Sequence, residues 1–196
     1  MEGTNPVNKK LAAALSGGAV LVLALSGCSS DDSSEKLNSW AQQVCDAVQP
    51  QAEKIEAANT AIQKQTSDNS TPEDVQSTDS KAFQDMSDAY DAIGAAVQKA
   101  GAPDVEDGET KQKNAVKELN DISTAYAGLR KQVDALDTKD QAKFADGLKG
   151  VATELDKLSK SGNDALKTLE GGDVGRAMAQ QESCKSASAP ATATSS

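Results

Sequence analysis

The sequence predicts an all-α fold, an antiparallel four-helix bundle with a short fifth helix. Three observations carry this. Four long stretches repeat apolar or small residues at alternating spacings of three and four, which puts them on one face of a helix. No stretch carries a strand signal. The composition is rich in alanine and poor in aromatics, with only Trp40, Phe83, Tyr90, Tyr126 and Phe144. That suits helices packed closely through small side chains better than a sheet or a roomy pocket.

The chain opens on a segment apart from this pattern. Lys9-Lys10 precede an apolar run over 11–25, interrupted only by Ser16, Gly17 and Gly18. Its 15 residues suit a signal-peptide core and fall short of the ~20 apolar residues of a membrane span. The run ends on Leu25-Ser26-Gly27-Cys28, small residues that let an extended chain enter a peptidase, followed by cysteine. Leu25, Ser26, Gly27 and Cys28 resemble, position by position, the lipobox of bacterial lipoproteins, Leu-(Ala/Ser/Thr)-(Gly/Ala)-Cys. The resemblance implies removal of 1–27 as a signal peptide. It also implies a diacylglyceryl thioether on the Cys28 sulfur and often an acyl chain, such as palmitate, on the new amine. Two or three chains anchor stably where one is marginal. The implied location is the outer face of the cell membrane.

Removing 1–27 takes away Lys9, Lys10 and Glu2, which leaves 18 basic against 29 acidic side chains and a net charge of −11. Residues 28–34 then read as a lipidated tether, with Ser33 or Ser34 capping the first helix. That helix is expected over 35–65, with Leu37, Ala41, Val44, Val48, Ile55, Ala58 and Ile62 on its stripe. Pro50 should kink or split it. Trp40 and Cys45 sit on the flank, where an extra element is expected to dock. A polar connection follows over 66–78, with Thr71-Pro72-Glu73-Asp74 starting a single helical turn.

The second helix is expected over 79–100, on Phe83, Met86, Tyr90, Ile93, Val97 and Ala100, and Gly101-Ala102-Pro103 stops it. An acidic turn leads to a third helix over 108–136, on Ala115, Leu119, Ile122, Tyr126, Leu129, Val133 and Leu136. The link Asp137-Thr138 is so short that its flanking helices must be antiparallel neighbours, with Thr138 and Gln141 as a capping box. The fourth helix is expected over 139–170, on Phe144, Leu148, Val151, Leu155, Leu158, Gly162, Ala165 and Leu169. Gly171-Gly172 end it. A short helix over 173–182 delivers Cys184, and 185–196, of Ser, Ala, Thr and Pro, should be disordered. The bundle domain is thus 35–184.

With Cys28 assigned to lipid, Cys45 and Cys184 remain, and an even pair outside the cytoplasm reads as a disulfide. It would staple the short last helix to the first. The whole mature chain resembles the small secreted lipoproteins of actinobacteria, acidic helical proteins of unknown function with two further cysteines. That resemblance transfers no catalytic residue.

Charge and composition exclude several function classes. A net charge of −10 leaves nothing to neutralise phosphates, which argues against nucleic acid and against docking of the protein surface on anionic lipid. The chain has no histidine, so the commonest general base and transition-metal ligand are missing. Ser159 and Ser161 beside Lys160 read as solvated surface. The oxygen-rich turn Asp104-Val105-Glu106-Asp107-Gly108-Glu109 lacks the twelve-residue pattern of a Ca²⁺ loop. Gly171-Gly172-Asp173-Val174-Gly175-Arg176 lacks the spacing of a phosphate loop. Tyr90 and Tyr126 read as core aromatics with hydroxyls at the bundle edge, and Trp40 as a cover for the disulfide. No enzyme activity, cofactor or metal is expected. The expected function is a membrane-anchored envelope interaction or structural protein, with an envelope protein as partner. The alternative is a helical module binding a small apolar ligand or a cation.

Overall fold

The computed structural model describes residues 29–65, 70–161 and 164–187. Every regular element among them is helical: α1 (Ser29–Gln65), α2 (Pro72–Ala100), α3 (Gly108–Asp134), α4 (Gln141–Ser161), α5 (Asp164–Leu169), α6 (Gly172–Gln180) and α7 (Glu182–Ala187). They form the expected helical bundle. α1, α2 and α3 alternate in direction and pack most extensively, α4 and α5 rest on α3, and α6 and α7 return to α1. No described helix is long and apolar enough to cross a membrane.

The core divides along the bundle axis. At the end where α1 begins, Leu37, Trp40, Ala41 and Val44 meet Ile93 and Val97, Ala115 and Leu119, and then Leu169, Val174 and Ala177. At the opposite end, Ala58 meets Ala82, Phe83 and Met86, Leu129 and Val133, and Val151 of α4, with Leu155 and Leu158 packed against them. The fourth position of the bundle is therefore shared. α4 fills it at one end, and α5 with α6 fills it at the other.

Several boundaries differ from the sequence expectation. The serine- and aspartate-rich stretch 29–34, expected as a tether, is the start of α1. α1 also runs on through Pro50. α2 begins at Pro72 rather than 79, so the single turn expected there continues into the long helix. A capping box starts it: the Asp74 N–H donates to Thr71 Oγ1 at 3.2 Å, and Asp74 Oδ2 accepts from the Thr71 N–H at 3.4 Å. Its polar first turns are satisfied across the fold. Gln65 donates to Thr78 Oγ1 at 2.8 Å, and Gln76 Nε2 donates to the Val133 and Leu136 carbonyls at 2.9 and 3.0 Å. That second pair caps the end of α3, which stops at Asp134 rather than 136.

The cap of α4 is Asp140, not Thr138: Asp140 Oδ1 accepts from the Lys143 N–H at 3.1 Å. Of the helix expected over 139–170, α4 covers Gln141–Ser161 and α5 covers Asp164–Leu169, and 162–163 lie outside the described residues. The short last helix is two. It breaks at Gln181, in an extended conformation, and α7 carries Cys184. The expected tail starts three residues late, since 185–187 belong to α7, and 188–196 lie outside the described residues.

Candidate functional site

The end of the bundle that holds the start of α1 gathers the features a site needs. The flank of α1 that carries Trp40 and Cys45 is covered there, as expected, by α6 and α7. Cys45 is fully buried and is joined to Cys184, their Cα atoms 5.0 Å apart across 139 residues of sequence. Beside the bridge, the Ser183 hydroxyl hydrogen-bonds the Asp46 carboxylate. Cys45 Sγ lies 3.9 Å from the Met178 carbonyl oxygen. A disulfide sulfur has no proton to donate, so this is a packing contact.

Local sequence explains how α6 reaches this place. Gly172 takes φ +63°, a left-handed conformation that side chains disfavour, and turns the chain back after α5. Val174 and Ala177, one turn apart, are then buried against α1, and Met178 beside them is half-buried. Trp40 has a different partner from the one expected. Its indole N–H donates to the Gly101 carbonyl at 2.8 Å, which ties α1 to the end of α2.

Surface clefts among the described residues border α1 from this end to its middle. The first, about 460 Å³, is walled by Val48, Ala52, Met178 and Ala179 and edged by Glu170, Cys184 and Lys185. Glu170 is exposed as a whole residue, yet protein crowded around its carboxyl raises its pKa by desolvation. The second, about 320 Å³, lies between α1 and α6, lined by Asn38, Asp173, Arg176 and Gln180 among others. Arg176 there pairs with Asp173. The third, about 730 Å³ and the most open, runs along α1 from Asp32 to Gln43 against Pro103 and Asp104.

Midway along the bundle, Tyr90 and Tyr126 stack with centroids 5.6 Å apart and planes 8° off parallel, and Phe83 adjoins Tyr126 at 6.1 Å. Burial and the neighbouring Tyr90 push the Tyr126 phenol up to about 12. Burial also raises Tyr90. The Ser159 hydroxyl donates to the Asp156 carbonyl at 2.9 Å, back along its own helix. In the acidic turn, Asp104, Glu106, Asp107 and Glu109 are exposed, and no group of three or more metal-ligating side chains comes together among the described residues.

Of the residues singled out from sequence, Cys45 and Cys184 are brought together, while Leu25, Ser26, Gly27 and Cys28 lie outside the described residues. Glu170 was not singled out. Its place at a cleft depends on where α6 returns, and no spacing in the sequence signals it. No protein-family model matches the chain, and no curated protein or solved structure matches it either.

Proposed function

We propose that this chain is an exported lipoprotein, held on the outer face of the cell membrane through lipid on Cys28. It has no enzymatic activity, and its helical faces engage an exported or membrane partner in the envelope. The observation that carries the reading is the buried Cys45–Cys184 bridge, since such bonds persist outside the reducing cytoplasm. It agrees with the lipobox residues Leu25-Ser26-Gly27-Cys28. The absence of histidine supports a non-enzymatic role. The small side chains buried in the cores, Ala41, Ala58, Ala82, Ala89 and Ala115, let helices approach closely, which favours helix faces over an internal chamber as the working surface.

The test is metabolic labelling with a fatty-acid analogue, followed by crosslinking on intact cells. The wild-type chain takes up label and yields a discrete crosslinked partner. Cys28→Ala loses the label and is released into the medium or left unprocessed. An acylated, membrane-bound Cys28→Ala product overturns the anchor. A second reading, ligand binding, is favoured by the 460 Å³ cleft beside the disulfide.

A further inference from the structure

The cleft between α1 and the α6–α7 hairpin has a volume of about 460 Å³, within the range of small-molecule sites. Its walls are apolar: Val48 and Ala52 from α1, Met178 and Ala179 from α6. Among the described residues two charged groups line it, Glu170 and Lys185. They differ in what surrounds them. Lys185 stands in solvent, its side chain 54% exposed, with its ammonium 3.5 Å from Glu182 Oε2. Glu170 sits where α5 passes into α6. Desolvation raises its pKa. The other lining groups, Gly175 and the disulfide-bonded Cys184 included, do not titrate. An acid desolvated beside an apolar wall is stabilised in its charged form by an opposite charge brought to it. The chain's net charge of −10 concentrates small cations around it.

We propose that this cleft binds an apolar primary amine, whose ammonium pairs with the Glu170 carboxylate while its hydrocarbon body lies against Val48, Ala52 and Met178. The inference rests on the ligand-binding reading and is independent of whether Cys28 is acylated. Binding draws Glu170 into its ionised form. It therefore strengthens as pH rises through the Glu170 pKa and releases a proton in that window.

The test uses the purified full chain with its disulfide intact and three probes of equal length: hexylamine, hexanol and hexanoate. The Met178 methyl resonance reports occupancy. Met86, buried at the other end of the bundle, is the internal reference. Hexylamine shifts Met178 and leaves Met86 in place, and Glu170→Gln weakens it by about tenfold or more. Ala52→Leu, which fills the apolar wall, also abolishes the response while the helical circular dichroism is kept. Hexanol or hexanoate binding as well as hexylamine, or an unchanged response in Glu170→Gln, overturns the amine assignment but leaves an apolar ligand site. Silence from all three probes overturns the assignment and the ligand-binding reading together.

Discussion

Cys184→Ser separates the contribution of the covalent clasp from that of the packing around it. The bridge spans 139 residues, almost the whole described chain. Loop-closure entropy for a loop of that size gives about 5 kcal/mol as an upper figure, and measured bridges typically contribute about 2–4 kcal/mol. Val174 and Ala177 stay buried against α1 without the bond, so α6 should remain docked. A bundle with a total stability of about 5–15 kcal/mol then stays folded after losing about 2–4. With a urea dependence near 2 kcal/mol/M, the midpoint falls by about 1–2 M. The dependence itself should steepen, because the unlinked denatured chain expands.

Serine belongs at 184 and not at 45. Cys184 is half-buried, whereas Cys45 is fully buried and a hydroxyl there adds its own cost of about 1–3 kcal/mol. The assay is urea unfolding followed by far-ultraviolet circular dichroism, on Cys184→Ser and on oxidised wild type. Equal midpoints would refute the reasoning, and so would a variant without helical signal in buffer.

Glycine positions supply a pair of opposite signs. Gly150 lies in α4 with nothing near its missing Cβ, so Gly150→Ala should stabilise by about 0.5–1 kcal/mol in thermal unfolding. A Cβ on Gly175 would lie 1.8 Å from the Glu170 carbonyl oxygen, so Gly175→Ala should displace the start of α6 and cost about 2 kcal/mol or more; equal effects at the two sites contradict the geometry. Asp79 is buried in α2 with its pKa raised above 3.8 by desolvation. The protonated form is the one the fold favours, so its contribution is full below the unfolded value and lost as pH rises through the native one. Asp79→Asn should therefore stabilise at pH 7 and converge with wild type in acid; a variant less stable at pH 7 refutes this. Spectrophotometric titration of the native chain should show Tyr126 ionising near 12, against about 10 once unfolded. The corresponding stability is present below about pH 10 and lost as pH climbs through 12, and a native titration at 10 would remove the desolvation argument.

The parts of the fold legible in the sequence are those governed by one helix face at a time. The stripe Phe83, Met86, Ile93, Val97 is buried as its spacing requires, and so is Ala115, Leu119, Ile122, Leu129, Val133. Cys45 beside the α1 stripe pointed to an element docking on that flank, and α7 does so. The misread boundaries depend on contacts between distant segments. The polar start of α2 looked too poor in apolar residues to be more than a turn, but Gln76 draws its worth from the carbonyls at the end of α3. The fourth helix kept its stripe in sequence while its two halves serve different cores, Val151 one and Leu169 the other. The pairing of Trp40 with Gly101 and the placement of Glu170 follow from turns whose direction local pattern does not encode.

Because 29–34 are helical, the first helix acts as a ruler. Its 37 residues span about 55 Å at 1.5 Å each. Pro50, which removes one hydrogen bond, is where a sharp bend of that helix is expected. Under the proposed anchoring, the lipid-bearing residue adjoins one tip of this ruler directly. The disulfide then stands about 24 Å along the helix from that tip, near its midpoint, and the far tip at Gln65 is carried to a fixed height. A partner meeting the far tip is selected by distance from the membrane as well as by shape.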